Sequence, residues 1–209
     1  GSKPVLRANF GDAITGRSDL YCSFYARAVQ LLREGGLHVF VCSSAWLDAG
    51  YGAPLQKYLM ERCKILHIYD SAVEKQFSTA NVNTIISILQ RSDADNDESE
   101  AHFSLLRGPF LEAIRNPQMR QDTTVLQGQL LSAGLSDGKY VGGKWGGKFL
   151  RAPSIYKRIF GELADRFEPL SKLAEITGYI HDNNTGANYD DQKVLWTVKD
   201  AESVLVDED

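Results

Sequence analysis

With 209 residues, 43% hydrophobic and 24% charged, the chain has the composition of a globular protein large enough to bury a core. Its net charge of −4 is not the footprint of a dedicated nucleic-acid-binding domain, and no apolar run approaches the roughly 20 residues of a membrane helix. Cys22, Cys42 and Cys63 stand at unrelated spacings and apart from the histidines, which argues against a disulfide framework or a metal site and fits a reducing cytoplasm.

Residues 19–33 carry helical periodicity. Leu20, Phe24, Ala28 and Leu31 recur at steps of three and four, which predicts a helix with one buried stripe, Ser18 as its N-cap and Gly35-Gly36 as its stop. The run 37–42, Leu-His-Val-Phe-Val-Cys, reads as a parallel strand covered on both faces, with Cys42 a small core residue. Gly50 and Gly52 mark a loop, and Pro54 opens a helix whose apolar face is Leu55, Tyr58 and Leu59. Strand patterns follow at 65–69 and 83–89. This alternation of helix and strand argues for an open α/β sheet.

The run 93–100, Asp-Ala-Asp-Asn-Asp-Glu-Ser-Glu, reads as a solvated loop or linker. Residues 102–106 suit a strand, and 110–115 and 126–131 short helices, the first ended by Asn116-Pro117. Five glycines between 136 and 147 mark a connector or flexible loop. From Lys139 to Arg158 the chain has no acidic residue. Residues 153–167 form a helical pattern with Ile155, Ile159, Leu163 and Phe167 on one face, and short elements follow from 170 onward, with a polar loop at 182–188.

Several segments in order carry a family resemblance. Ser18-Asp19-Leu20-Tyr21-Cys22-Ser23-Phe24-Tyr25 is followed by Leu31 to Val41. Phe77-Ser78-Thr79-Ala80-Asn81-Val82-Asn83-Thr84-Ile85-Ile86 comes next, then Lys144-Trp145-Gly146-Gly147-Lys148-Phe149-Leu150-Arg151-Ala152-Pro153, then residues 173–178 and 185–188. At these spacings they resemble the adenine-specific DNA methyltransferases fused into single-chain type II restriction–modification enzymes. The resemblance implies a partial S-adenosylmethionine-dependent, Rossmann-like α/β sheet. Residues 1–92 would be the C-terminal half of a methyltransferase domain and 93–100 an acidic linker. Residues 101–152 would be the remainder of the sheet and a basic connector, and 153–209 the start of a target-recognition domain. S-adenosylmethionine is the implied cofactor of the parent enzyme. Double-stranded DNA and the remainder of the parent chain are its implied partners, in the cytoplasm and without a membrane.

Residue roles follow from the same resemblance. An enzyme that methylates adenine takes the base out of the stack, and an aromatic ring returns on the order of 1–3 kcal/mol of the lost stacking. Phe77 holds the implied stacking position; by pattern alone it is a core residue at the start of a strand. Asp19, Leu20 and Phe24 are implied at the edge of the cofactor pocket, although Leu20 and Phe24 also fall on the stripe expected to be core. Lys139, Lys144, Lys148, Arg151, Lys157 and Arg158 are set among Tyr140, Trp145, Phe149 and Tyr156. They read either as a phosphate-facing wall or as a solvated face.

The departures from the family pattern concern catalysis. No Gly-rich loop follows a first strand, and neither Asn-Pro-Pro-Tyr nor Asp-Pro-Pro-Tyr occurs; the family places that motif a short distance before Ser18. Gly1-Ser2 reads as a scar of tag removal. The expectation is a piece of a longer enzyme, inactive alone, with no catalytic residue of its own. Two other readings are a non-catalytic methyltransferase-like module that binds DNA or a partner, and an unrelated nucleotide- or small-molecule-binding α/β protein, for which no phosphate-cradling glycine motif exists.

Overall fold

A computed structural model of the chain describes residues 3–73, 83–153, 155–156, 159, 174–177 and 195–198. The chain divides into two units, residues 1–152 and 153–209. The first contains α1 (Lys3–Phe10), α2 (Leu20–Leu31), β1 (Leu37–Ser43), α3 (Ala53–Arg62), β2 (Cys63–Ser71), β3 (Thr84–Arg91) and β4 (Glu100–Leu106). It continues through α4 (Phe110–Arg115), β5 (Arg120–Leu126), α5 (Gln127–Ser132) and the hairpin of β6 (Leu135–Ser136) with β7 (Lys139–Tyr140). In the second unit β8 (Ala174–Thr177) pairs antiparallel with β9 (Leu195–Val198). Of the expected 153–167 helix, residues 155, 156 and 159 are helical, Pro153 is not, and the rest lie outside the described residues, as does the 182–188 loop.

The chain folds in the α/β class read from its sequence, but the sheet is mixed. Its order is β1-β3-β2-β4-β5. β3 runs antiparallel to both β1 and β2, β2 is parallel to β4, and β5 is antiparallel to β4. The parallel strand expected at 37–42 is therefore an edge strand, paired on one side with the antiparallel β3. Its double coverage is also corrected. His38, Phe40 and Cys42 turn toward α2, whereas Leu37, Val39 and Val41 are 58%, 61% and 41% exposed. A continuous apolar run does not distinguish a strand covered on both faces from one covered on a single face.

α2 is rotated from the expected stripe. Cys22, Ser23, Tyr25, Ala26 and Val29 are buried, while Leu20, Phe24 and Leu31 are 53%, 55% and 69% exposed. Tyr25 sets this orientation. Its ring packs on His38, Phe40 and Trp46, and its hydroxyl meets Ser87 Oγ at 2.7 Å. A buried aromatic with a satisfied hydroxyl outweighs a stripe of smaller apolar contacts. The N-cap is Asp19, not Ser18: Asp19 Oδ1 accepts the Leu20 N–H at 2.6 Å, while Ser18 Oγ accepts the N–H of Thr15. Gly35, at φ +75°, turns the chain into β1 and donates its N–H to Arg91 O.

A bulge in β2 decides which way its later side chains point. The register shifts between Ile65 and His67, so Ile65, Ile68 and Asp70 all face the core side. Gln127 of α5 holds the bulge: its Oε1 accepts the Ile65 N–H at 3.0 Å, and its Nε2 donates to Met60 O and Cys63 O, both at 2.9 Å. The core gathers Leu55 and Leu59 of α3 with Ile65, Ile68, Ile85, Leu89 and Phe103 of the strands. The acidic run 93–100 leads from β3 into β4 of the same sheet, within the first unit.

Candidate functional site at the carboxyl end of the sheet

β1, β2 and β4 run in one direction and end at Ser43, Ser71 and Leu106. In open α/β sheets the crevice outside such strand ends is where ligands bind. After β1 the chain makes two 3₁₀ turns, Ser44–Leu47 and Gly50–Gly52, with Asp48 between them. Gly52 is required there, because a Cβ would overlap the carbonyl of Trp46. The start of α2 lies against these turns: the hydroxyls of Tyr21 and Tyr51 meet at 2.8 Å, and Ser18 Oγ donates to Tyr51 O at 3.4 Å. Burial, followed by the Tyr51 hydrogen bond, raises the Tyr21 hydroxyl above its ordinary range and keeps it neutral.

Asp19 and Leu20 line a cavity of about 170 Å³ together with Leu6, Ile14 and Thr15. Phe24 is one turn further along α2 on the same exposed stripe as Leu20. Phe77 lies outside the described residues, in the connection between Ser71 and Thr84.

The 136–147 stretch, expected as a flexible connector, is tied down at several points. Gln56, 1% exposed, donates through Nε2 to Trp46 O and Leu47 O, and its Oε1 accepts from Tyr140 Oη at 2.8 Å and the Gly143 N–H at 3.0 Å. Trp145 is fully buried edge-on against Trp46. The chain then makes a single π-turn, Gly146–Arg151, of a kind concentrated at functional sites. Lys139 is exposed on the hairpin and Lys148 is half-buried on the π-turn. Lys144 donates to Asp48 O, and Arg151 is ion-paired with both Asp48 and Asp70. Burial pushes the Asp70 carboxyl above the usual range, with Arg151 opposing it. Lys157 and Arg158 lie outside the described residues. No local pattern singles out Asp48 or Asp70; the legible signal is Gly146-Gly147, two glycines where a backbone must come close to something.

On the other face of the sheet, β2, β4 and β5 carry a polar chain. His67 Nε2 meets Ser104 Oγ at 2.7 Å, Ser104 Oγ donates to Asp122 Oδ1 at 2.5 Å, and Arg120 Nε donates to Asp122 Oδ2 at 2.8 Å. The His67 ring stacks on Tyr69 at 3.8 Å. Burial, reinforced by His102, pushes the His67 imidazole down to about 4. Among the described residues no group of three or more His, Cys, Asp or Glu side chains is arranged to hold a metal ion, and no helix is long and apolar enough to cross a membrane.

Set beside known proteins, the chain is similar to restriction–modification methyltransferases. Residues 2–77 match the family described as Eco57I restriction-modification methylase. Over 87 residues the chain is 34% identical to the type II methyltransferase M.XhoI of Xanthomonas vasicola, covering 41% of this chain and 16% of that protein. The crystal structure of the type IIG restriction endonuclease BpuSI superposes with a TM-score of 0.54 over 88% of this chain and 23% of its own, at 14% identity, which is a likeness of fold. The chain thus spans less than a quarter of the length of either. The resemblance to restriction–modification methyltransferases is borne out.

Proposed function

We propose that this chain is part of an adenine-specific DNA methyltransferase of a single-chain, cytoplasmic restriction–modification enzyme, and that it forms one wall of the S-adenosylmethionine cleft. The carrying observation is the bare apolar surface on α2 and β1. Leu20 and Phe24 stand exposed on α2, whose start lies against the turns after β1, and Leu37, Val39 and Val41 are exposed on an edge strand with no charged side chain or proline to guard it. The remainder of the parent chain would cover these surfaces.

The residues present fit the cofactor on one side. Leu20 and Phe24 offer an apolar wall of the kind ligand pockets use, and the Asp19 carboxylate caps the helix that presents them. When bound, S-adenosylmethionine supplies the methyl group. The chain's own residues hold and orient it, and Phe77 takes the extruded adenine. Lys139, exposed on the connector hairpin, meets phosphates of the duplex. This chain alone is expected to transfer no methyl group, since its sequence holds no Asn-Pro-Pro-Tyr.

The test is steady-state kinetics on the longer protein with Phe24→Ser. Loss of one apolar wall contact of about 1.4 kcal/mol raises the KM for S-adenosylmethionine about tenfold and leaves kcat within about twofold. An unchanged KM refutes the cleft assignment. If the native reading frame holds nothing before this segment, a separate partner covers the α2 and β1 surfaces and the chain is a binding module.

A further inference from the structure

Asp48 gives each of its three acceptor atoms to the connector. Lys144 Nζ donates to its carbonyl oxygen at 2.6 Å, the Gly147 N–H to Oδ1 at 2.9 Å and Arg151 Nη1 to Oδ2 at 2.8 Å. Arg151 then reaches Asp70 Oδ2 through Nε at 3.2 Å and Nη2 at 3.1 Å. One guanidinium therefore ties the turn after β1, the end of β2 and the π-turn Gly146–Arg151 together. The arrangement requires glycine at 146, where a Cβ would overlap both the Asp48 carboxylate and the Arg151 guanidinium. It also requires the β2 bulge, without which Asp70 would point to the opposite face of the sheet. To meet a phosphate, Arg151 would have to abandon Asp70, which is 5% exposed, and leave a buried carboxylate unpaired.

We propose that Lys144 and Arg151 are positioning residues that buckle the connector to the carboxyl end of the sheet, and that neither is a phosphate contact. What that end does rests on the methyltransferase reading; the buckle does not. Through Asp48 it fixes the turns of residues 44–52, and through Asp70 the point from which the chain leaves β2 toward Phe77. Arginine is needed, because a planar fork serves two carboxylates at once and a lysine ammonium does not.

The experiment compares the unaltered chain with Arg151→Ala, Arg151→Lys and Lys139→Ala in two assays. In amide hydrogen exchange, Arg151→Ala speeds exchange at Gly147 and across residues 48–52 by about tenfold, the equivalent of one charge-assisted bond, while residues 39–41 stay as they were. Arg151→Lys restores little of this protection. In duplex DNA binding measured against salt, Arg151→Ala keeps the slope of the unaltered chain, whereas Lys139→Ala lowers it by about 0.9, as loss of a phosphate contact does. Unchanged exchange in Arg151→Ala overturns the proposal. So does a slope lowered by about 0.9 in Arg151→Ala and restored by Arg151→Lys. A chain that binds no duplex refutes the DNA reading of the proposed function, and the exchange result then decides the buckle by itself.

Discussion

Replacing Gln127 with leucine removes the group that holds the β2 bulge while keeping most of the side-chain volume. Gln127 is 2% exposed and makes three hydrogen bonds, one from the Ile65 N–H and two to the carbonyls of Met60 and Cys63. Each net bond is worth about 1 kcal/mol, so the bonds alone sum to about 3 kcal/mol. The Ile65 N–H donates to Gln127 and Ile65 is itself 1% exposed, so orphaning that donor adds about 1–2 kcal/mol. The expected loss is about 4–5 kcal/mol, a large fraction of the 5–15 kcal/mol typical of a domain. Urea unfolding followed by tryptophan fluorescence measures it. A loss below about 1 kcal/mol would show that water or a shifted register replaces Gln127, and the argument that the bulge aims Asp70 at Arg151 would lose its support.

Three further outcomes follow from the same structure. Gly52→Ala drives a methyl into the carbonyl of Trp46, so the variant is expected to be insoluble or to melt well below the unaltered chain in a thermal scan. Tyr25→Phe leaves the fully buried Ser87 hydroxyl without its partner and costs about 1–3 kcal/mol in urea unfolding. Adding Ser87→Ala to that variant recovers part of the loss, and strict additivity of the two would refute the pairing. Folding depresses the His67 imidazole from its ordinary 6.5 to about 4, so the unfolded chain takes the proton first as pH falls. Stability contributed by neutral His67 is intact above pH 6.5 and is lost progressively toward pH 4. The urea midpoint of His67→Gln therefore falls less over that interval than that of the unaltered chain, and parallel curves would contradict the assignment.

Much of the secondary structure was legible because it rests on local pattern. The helix at 53–62, the strands at 63–71, 84–91 and 100–106 and the short helices at 110–115 and 127–132 all coincide with apolar periodicity or turn chemistry. β5 was not legible. Its sequence, Arg-Gln-Asp-Thr-Thr-Val-Leu, is polar on both faces because Thr123 bonds the π-turn and Gln121 the residue after it, while Asp122 and Thr124 bond β4. The face of α2 was misjudged because a tyrosine with a buried hydroxyl partner sits where periodicity counts only apolar carbon. The ties that shape the site, Gln56 to Tyr140 and Asp48 and Asp70 to Arg151, join residues about 80 to 100 positions apart, beyond any local signal. Basic residues at 139–158 were visible, but their engagement with carboxylates was not, since charge counts do not reveal which partners the fold brings near.

Nucleoside analysis of DNA treated with S-adenosylmethionine tests the central claim most directly. The product of the complete native reading frame and this chain alone are each incubated with a mixed-sequence duplex, which is digested and analysed by mass spectrometry; agarose gels of the same samples read out any cleavage. N6-methyladenine is expected with the complete protein and none above background with this chain. Methylated cytosine, no methylation by the complete protein, or methylation by this chain alone would contradict that claim.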